Sequence, residues 1–353
     1  MNPATMAIDL TTDYGGLTLK SPIVMGASNM VTDIDNLVKL EKAGIGAIVY
    51  KSLFEEQLQL ESYQLDQMQE TYSNWDAEHE SFFPSARHAG PSEYLRQLKE
   101  VKSKLSIPVI GSLNCVNDES WLEYALKMLD TGIDGLELNF YNNNVDFSLK
   151  ADAIEEKQLK TLELVRAGAR QIPLFVKLSP FYSNPLHLIS QMDRVGADGF
   201  VLFNRLFQPD IDLDTETHHF PYNFSSDSDN RLALRYAGLL HGKIKAGVIA
   251  NTGIFSGKDA VKMILAGAAA VQVVSTVYKK GIHHIEVMNE EMKSWMKKKG
   301  YKSLEDFRGK LSRENLSDPF AYKRAQYVDI LMKSEMFLQY HPKRGELPTN
   351  EDY

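Results

Sequence analysis

The chain has 353 residues, 43% of them hydrophobic, and carries a formal charge of −8. That length allows a sizeable core in one or two domains, and the acidic balance argues against nucleic acid or an anionic membrane as the main partner, because both attract basic surfaces. The single cysteine, Cys115, excludes an internal disulfide and a cysteine-ligated iron–sulfur cluster. With neither a signal-peptide pattern nor a long apolar run, we expect a cytoplasmic protein without a membrane segment.

The first elements predict a hairpin and then alternating strands and helices. Residues Ile8 to Lys20 alternate in polarity around a Gly-Gly pair, which is typical of a β-hairpin. Buried strands follow at Pro22 to Ala27 and at Ala47 to Tyr50, and the helix between them runs from Asp33 to Lys42. The chain therefore enters its main domain as a strand, a helix and a second strand.

The segment from Ser52 to Ala86 carries eight carboxylates and no lysine or arginine. A solvated acidic face is the simplest interpretation of that composition. The segment is also long for a connection between a strand and a helix, and insertions at that place tend to be lids or binding loops. We therefore expect it to cover the mouth of a site.

The same alternation continues to residue 275 and brings the strand count to eight. A second long polar loop is predicted from Arg205 to Asn230. The remaining helices are predicted at Glu93–Lys104, Trp121–Leu129, Ile154–Arg170, Leu186–Val195, Arg231–Leu240 and Gly257–Leu265. The remaining strands are predicted at Pro108–Leu113, Gly135–Phe140, Pro173–Leu178, Gly199–Asn204, Ala246–Ala250 and in the apolar run that ends at Val274-Ser275.

A weak internal repeat supports this count. The segments EKAGIGAIV, DTGIDGLEL, RVGADGFVL and LAGAAAVQV each have a glycine where a helix ends, shortly before a buried strand. Alternating strands and helices favour a parallel α/β fold, and eight strands without a Rossmann GxGxxG pattern favour a TIM (βα)8 barrel. We predict that fold, with the hairpin at its N-terminus.

The last part of the chain has a different composition. From Asp318 the sequence DPFAYKRAQYVDILMKSEMFLQY shows helix-like apolar spacing, and the final residues are polar. We predict a barrel over residues 1–312 and a C-terminal helical extension with a tail over 313–353. The extension is expected to pack on the outside of the barrel or on a second subunit.

In a (βα)8 barrel, the side chains at the carboxyl ends of the strands point into the active site. The predicted ends here carry two lysines and several amides, with no histidine and no carboxylate: Ser28 and Asn29, Lys51 and Ser52, Asn114 and Cys115, Asn139, Lys177, Asn204 and Arg205, Asn251, and Ser275. This set offers no metal site, but it suits a planar heterocycle, and a lysine can stabilise a reduced, anionic ring. An asparagine there is often only a turn residue, whereas Lys51 and Lys177 place a charge where it is costly without a partner.

The stretch from Lys245 to Gly281 reads as strand, glycine turn, helix and strand. Its two turns, Asn251-Thr252-Gly253 and Val274-Ser275, follow neighbouring strands and so would meet at one edge of the sheet. Backbone N–H groups of such turns can hold a phosphate. A tight turn without a ligand, as in any α/β protein, is the alternative interpretation.

Six segments resemble the soluble dihydroorotate dehydrogenases, which are FMN-dependent (βα)8 barrels of pyrimidine synthesis: PIVMGAS, AIVYKS, IDGLELNFYNNN, LFVKLSP, ANTGIFSGKDAVKMILAGAAAVQVVSTVYKKG and GYKSLEDFRGKL. The resemblance runs in chain order over roughly residues 6 to 312. It implies FMN as the cofactor, in contact with Ala27, Ser28, Lys51, Ser52, Asn114, Asn139 and Lys177, with its phosphate at Asn251, Thr252, Gly253, Val274 and Ser275. It implies substrate contacts at Asn139, Asn144, Asn204 and Arg205, and a catalytic role for Lys51.

The substrate side departs from the family pattern. In the family, a Cys or Ser after the fourth strand removes a proton while hydride passes to FMN, and here Asn142 stands at that position. An amide cannot accept that proton at neutral pH. Phe82 stands where the outer substrate loop of the family begins with Asn, and Arg205 replaces a Ser or Thr and could grip a carboxylate.

Two other residues, Cys115 and Tyr141, are candidates for a substitute base. Cys115 ends the third strand inside the predicted mouth, but nothing in the sequence indicates a way to activate it, and a packed, inert thiol is the simpler interpretation. Tyr141 is the other candidate, and a phenol is a poor base at neutral pH without help. The general base of the family is therefore missing from the expected place.

Three functions remain open on the sequence alone. The first is hydride transfer between dihydroorotate and FMN, and the second is flavin chemistry on another small carboxylate or heterocycle, anchored by Arg205. The third is a barrel that binds FMN without catalysis. In each case we expect a small-molecule ligand and a homodimer, and the sequence does not indicate the electron acceptor.

Overall fold

The computed structural model describes residues 8–55, 91–115, 118–141, 146–206, 208–219, 224–318 and 322. Its strands begin with an antiparallel hairpin, β1 (Thr12–Tyr14) and β2 (Leu17–Leu19), as predicted. The strands that follow are β3 (Ile23–Met25), β4 (Ala47–Val49), β5 (Leu53–Phe54), β6 (Val109–Asn114), β7 (Gly135–Asn139), β8 (Leu174–Leu178), β9 (Gly199–Leu202), β10 (Asp210–Asp212), β11 (Thr217–His219), β12 (Gly247–Asn251) and β13 (Ala270–Val273).

Eight of these strands form a closed parallel barrel. Their order around the ring is β4, β3, β13, β12, β9, β8, β7 and β6, and β6 pairs back with β4 to close it. The short strand β5 pairs with the end of β6 outside this ring. The predicted TIM (βα)8 barrel is confirmed.

The helices surround the barrel, and in the described ranges none is long and apolar enough to cross a membrane. They are α1 (Ile34–Lys42), α2 (Pro91–Lys104), α3 (Asp118–Leu129), α4 (Ala151–Gly168), α5 (Pro185–Val195), α6 (Asn230–Leu240), α7 (Gly257–Ala266), α8 (Ser275–Lys280) and α9 (His284–Lys299). Every helix predicted between residues 33 and 265 is found, with ends that differ by a few residues.

The repeated glycines end helices, as the repeat indicated. Gly44, Gly132, Gly196 and Gly267 follow α1, α3, α5 and α7, and all four have positive φ angles between +83° and +124°. A side chain there would strain the backbone, so glycine allows each helix to stop and the chain to turn into the next strand.

Several elements of the structure differ from the predicted ones, including the short strand β5 and the helix α8, which were not predicted. The segment predicted as a polar loop from Arg205 to Asn230 contains the hairpin of β10 and β11, whose residues are mostly exposed and so show no apolar alternation. The helix α9 was not predicted, although Ile285, Met288, Met292 and Met296 are buried at helical spacing. The helix predicted from Asp318 falls on 319–321 and 323–353, outside the described residues, and the domain boundary at 312 stays a prediction.

The amino-terminal end of the barrel is closed by the N-terminal hairpin. Tyr14 and Leu19 are fully buried and belong to the cluster of side chains that fills the barrel interior. The ring of Tyr14 lies 4.6 Å from that of Phe175, centroid to centroid. A Cβ atom at Gly199 would lie 2.8 Å from Phe175, so glycine makes room for this ring. The hairpin and Phe175 thus fill the barrel interior at its amino-terminal end.

Candidate functional site

The carboxyl ends of β8, β9, β12 and β13 enclose a cavity of about 180 Å³. Its walls bring together three predicted site residues, Lys177, Asn204 and Arg205, and both predicted phosphate turns. The other residues in the walls are Ser225, Ile254, Gln272, Val273 and Thr276. Residues from Lys177 to Thr276, which are distant in the sequence, therefore share one small space.

The first turn, Asn251-Thr252-Gly253, has an unusual backbone. Thr252 and Gly253 have φ angles of +77° and +75°. A Cβ atom on Gly253 would lie 2.5 Å from the backbone nitrogen of Asn230, so no side chain fits there. The Thr252 hydroxyl and the Asn251 amide each donate a hydrogen bond of 2.9 Å to the carbonyl of Phe203, which fixes the turn. A threonine held at positive φ is strained, and such strain tends to occur at functional sites.

Ser225 connects the two turns and was not among the predicted site residues. Its hydroxyl accepts a 3.3 Å hydrogen bond from the Gly253 N–H, and its own N–H donates to the Ser275 hydroxyl at 2.9 Å. Its carbonyl accepts from the ammonium of Lys279 at 2.8 Å. A phosphate at these turns would share their donors with Ser225. The sequence around it, FSSDSDN, gave no pattern that singled it out.

The predicted amide residues form one buried hydrogen-bonded cluster. The side-chain amide of Asn204 donates to the Oδ1 atom of Asn139, and the Asn139 amide lies 3.5 Å from the hydroxyl of Ser52. Asn114 donates to the carbonyl of Asn139 at 2.7 Å. Since amides can donate and accept, this cluster can recognise a ligand edge that carries both kinds of group.

A fully buried carboxylate lies next to this cluster, on Glu137. Its Oε2 atom accepts a 2.8 Å hydrogen bond from Gln272, and its Oε1 atom lies 3.7 Å from the ammonium of Lys177. The hydroxyl of Ser112 donates to the same Oε1 at 3.4 Å. The predicted set of strand-end residues without a carboxylate was thus incomplete. Glu137 precedes Asn139 by two residues, so the strand period places both on the inner face, and a charge in the apolar run GLELN was the signal.

Tyr14 extends this polar network to the hairpin at the other end of the barrel. Gln272 donates to its hydroxyl at 3.1 Å. Burial raises the pKa of Tyr14 well above its ordinary value, and the charge of Glu137 raises it further. The phenol is therefore protonated and neutral across the physiological range.

Several polar atoms at this end of the barrel lack partners within the described chain. The hydroxyl of Ser28 and the Oε1 atom of Gln272 are buried without a hydrogen bond. No described residue accepts a hydrogen bond from the ammonium of Lys177, which is only 7% exposed. Buried polar groups without partners are rare in folded proteins, so these atoms fit a ligand that supplies the missing partners.

Arg205 occupies the cavity wall but has a partner already. Its guanidinium forms an ion pair with Asp229, and Asp229 also accepts a 2.8 Å hydrogen bond from the N–H of Ser226. A carboxylate ligand would have to compete with Asp229 for this guanidinium. The geometry therefore holds Arg205 at the mouth but does not leave it open.

The remaining predicted residues lie around the cavity or beyond the described chain. Lys51 follows β4, where its carbonyl accepts a 2.6 Å hydrogen bond from Tyr94, and Ala27 follows β3. Cys115 directly follows β6, and its thiol is buried. Phe82, Asn142 and Asn144 fall outside the described residues. Within the described ranges no group of three or more His, Cys, Asp or Glu side chains is placed to hold a metal ion.

The family model and the curated proteins that this chain resembles point to the same family. Residues 85–296 match the family model described as dihydroorotate dehydrogenase. The chain is 25% identical over 320 residues to the dihydroorotate dehydrogenase B (NAD(+)) catalytic subunit of Methanocaldococcus jannaschii, covering 85% of this chain and 97% of the relative. It is 26% identical over 229 residues to the dihydroorotate dehydrogenase A (fumarate) of Lactobacillus helveticus, covering 62% and 72% of the two chains.

Proposed function

The chain belongs to the dihydroorotate dehydrogenase family, and from this premise we propose that it is an FMN-dependent oxidoreductase of that type. The proposed reaction is hydride transfer between dihydroorotate, or a closely related compound, and FMN, as part of pyrimidine biosynthesis. The observation that carries the proposal is the cavity in which Lys177, Asn204 and the two strand-end turns meet. These residues come from four barrel strands, and the fold brings them to one place.

The described residues fit the phosphate end of FMN. The turn at Gly253 leaves no space for a side chain, and the N–H and hydroxyl groups of the turns at Gly253 and Ser275 are suited to an anion. Lys177 lies in the same cavity wall, and its ammonium, which has no hydrogen-bond acceptor in the described chain, is assigned to the flavin ring rather than to the phosphate. A cavity of about 180 Å³ is smaller than the roughly 300–1,000 Å³ of sites for whole small ligands, so it matches one end of a mononucleotide.

The chemistry assigned to the other residues follows from their donors and charges. FMN, when bound, supplies the hydride acceptor that the side chains lack. We propose that Lys177 and Lys51 hold positive charge where the reduced ring is anionic, and that Ser28 donates to it from a position where its hydroxyl has no other partner. The amides of Asn139 and Asn204 orient the substrate.

The largest difference from the family pattern is Asn142, which stands where the family has its Cys or Ser base. Its amide has no atom that can take a proton at neutral pH, so we propose that Asn142 and Asn144 position the substrate rather than accept its proton. Slow turnover of dihydroorotate is the expected consequence, because general base catalysis typically contributes 10²- to 10⁴-fold.

A second candidate function keeps FMN and changes the substrate. Arg205 lines the cavity beside Lys177, and a planar carboxylate that displaces Asp229 would gain a bidentate partner. This favours a small carboxylate-bearing heterocycle. Dihydroorotate that fails to reduce the flavin, together with another such compound that reduces it, would support this candidate over the first.

The decisive experiment is an anaerobic titration of the purified protein with dihydroorotate, followed by the flavin absorbance. We expect bound FMN and bleaching of the yellow colour. The variant K177M should reduce about 10²-fold more slowly, because removal of one electrostatic stabiliser typically costs that much. The matched control is K293M, which removes a lysine that is paired with Glu290 on the outside of the barrel. Purified protein that takes up no FMN would overturn the proposal.

Assembly and location complete the proposal. We propose a homodimer in the cytoplasm, as expected from the sequence. Light scattering coupled to size-exclusion chromatography measures the first, and fractionation of cells that express the full chain measures the second. A monomer at micromolar concentration, or recovery with membranes, would contradict the respective part.

A further inference from the structure

We propose that Glu137 is a positioning residue that holds the ammonium of Lys177 at the cavity wall, so that bound FMN meets a fixed positive charge. The inference rests on the proposed function, since it concerns FMN in the same cavity. It assigns a role to a carboxylate that has no surface exposure and lies among the inward-facing residues of the barrel.

The distance between the two groups is the first argument. The Lys177 nitrogen lies 3.7 Å from the Oε1 atom of Glu137, which is within ion-pair range but too far for a normal hydrogen bond. The carboxylate therefore balances the charge of the lysine without taking up its N–H donors. Those donors remain available to a ligand in the cavity, in whose wall Lys177 lies.

The restraint on Glu137 is the second argument. Gln272 on β13 donates to its Oε2 atom at 2.8 Å, and Ser112 on β6 donates to its Oε1 atom at 3.4 Å. Gln272 is itself bonded to the buried hydroxyl of Tyr14 at 3.1 Å. Hydrogen bonds from two strands thus hold the carboxylate where it is and keep it from closing onto the lysine, and Tyr14 restrains one of the two donors.

The other described groups near Lys177 do not provide a second negative charge that could replace that of Glu137. Among the described residues, Glu137 is the carboxylate that forms an ion pair with this lysine. Tyr14 is neutral, and the Arg205 guanidinium in the same cavity wall is cationic and paired with Asp229. A buried ammonium without a counter-charge is unfavourable and tends to lose its proton or move towards water. Removal of Glu137 should therefore remove the positive charge of Lys177 from the cavity.

The sign of the change in the flavin midpoint potential distinguishes a Glu137 that positions Lys177 from a Glu137 that acts on FMN only through its own charge. If Glu137 acted only as a negative charge near FMN, its removal would favour the anionic reduced flavin and raise the midpoint potential. If it holds the ammonium, its removal costs the flavin a nearby positive charge and lowers the potential. The two roles predict opposite signs for the same substitution.

The test is the midpoint potential of bound FMN at pH 7, measured by equilibration with reference dyes, in the unaltered protein and in E137Q. We expect the preference for reduced over oxidised FMN to fall about tenfold, a shift of about 30 mV to lower potential for a two-electron couple. K177M should shift in the same direction, and E137Q in the K177M background should cause no further fall. The control E290Q removes an exposed carboxylate from α9 and should leave the potential unchanged.

A potential in E137Q equal to or above that of the unaltered protein overturns the inference, even where FMN binds and is reduced. Unaltered protein that binds no FMN is a different result, which overturns the proposed function and this inference with it. If E137Q does not fold, Q272M decides the question, because it keeps the carboxylate and removes its 2.8 Å hydrogen bond. A smaller fall in potential in Q272M supports the inference, and an unchanged or higher potential overturns it.

Discussion

At the amino-terminal ends of the barrel strands, Asp134 and Asp198 each bind a backbone N–H and a basic side chain. At the carboxyl ends, the ammonium of Lys177 and the hydroxyl of Ser28 have no hydrogen-bond partner in the described chain. Asp134 accepts from the N–H that begins β6 at 2.7 Å and from Lys102 at 2.6 Å. Asp198 accepts from the N–H that begins β8 and from Arg166, each at 2.8 Å. The two carboxylates at the amino-terminal end are thus satisfied internally, although the Nε atom of Arg166 there has no hydrogen-bond partner among the described residues, and polar side chains at the carboxyl end are left open.

The difference shows which end maintains the fold and which end is kept for a ligand. Satisfied hydrogen bonds and a filled interior lower the free energy of the folded state, while buried polar atoms without partners raise it. Buried polar atoms without partners are retained where a bound molecule supplies the missing hydrogen bonds. Substitutions at the amino-terminal end should therefore change stability, and those at the carboxyl end should change affinity more than stability.

Phe175 offers the largest test of the amino-terminal end. Its fully buried ring packs on Tyr14 and over glycines of three neighbouring segments, so the variant F175A should leave a cavity. We expect a loss of about 3–5 kcal/mol in the free energy of unfolding, measured by urea denaturation. FMN affinity of the folded variant should be nearly unchanged. The matched control is F181A, because Phe181 is 70% exposed and its removal should cost little.

A loss below about 1 kcal/mol in F175A would show that the hairpin and the lower barrel can collapse around the missing ring. A large loss of FMN affinity in the folded variant would contradict the separation between the two ends. Either result would change which part of the barrel is regarded as its structural core.

Gly253 tests the carboxyl end. In G253A the new methyl group would meet the Asn230 nitrogen at 2.5 Å, in a backbone held at φ +75°. We expect a stability loss of about 1–3 kcal/mol and FMN binding at least tenfold weaker, measured by fluorescence titration. Riboflavin, which lacks the phosphate, should lose much less affinity.

The control for this variant is G132A. Gly132 has a similar φ of +83°, but nothing lies within 4 Å of the position of its new methyl group, and it is at the other end of the barrel. G132A should therefore cost the backbone strain alone, about 1–2 kcal/mol, without any change in FMN affinity. Equal losses of FMN affinity in both variants would argue against a phosphate site at the Gly253 turn.

The parts of the barrel that repeat could be predicted from the sequence. Strand and helix alternation is encoded locally, and a glycine with positive φ ends a helix regardless of what surrounds it, as Gly196 and Gly267 do. Lys177 was identified for a similar reason, because a charge directly after a buried strand is conspicuous. Such features need knowledge of only a few neighbouring residues.

The features that depend on contacts between distant residues could not be predicted in this way. Gln272 lies 135 positions from Glu137, and their hydrogen bond exists only once the barrel has closed. Ser225 bridges two turns that follow different strands, and its own loop has no distinctive pattern. The alternation of strands and helices along the sequence predicts that the strand ends meet. It does not predict which polar atoms there have hydrogen-bond partners.

Asp259 lies in the first turn of α7, close after the phosphate turn, and its carboxylate is nevertheless satisfied by neighbouring side chains. Its carboxylate accepts from the Ser256 hydroxyl at 2.8 Å and pairs with Lys262 at 3.0 Å. Desolvation raises the pKa of Asp259, but hydrogen bonds from Ser256 and Lys262 outweigh it, and the pKa lies below its ordinary value of 3.8. This carboxylate should therefore behave like those at the amino-terminal end.

We expect D259N to destabilise the protein by about 1 kcal/mol at pH 7, as loss of a helix-capping contact does, and to leave FMN affinity unchanged. Because folding lowers the pKa of Asp259, the unfolded chain binds the proton more tightly, and the stabilisation is complete only above the unfolded value of about 3.9. It is lost as the pH falls through the folded value. Urea unfolding from pH 7 to 3 should thus show the gap between D259N and the unaltered protein narrow below about pH 4. A stability difference that persists at pH 3 would contradict the stabilising role of the ionised Asp259 carboxylate. A loss of FMN affinity in D259N would mean that a polar side chain near the phosphate turn affects the ligand even when other side chains satisfy its hydrogen bonds.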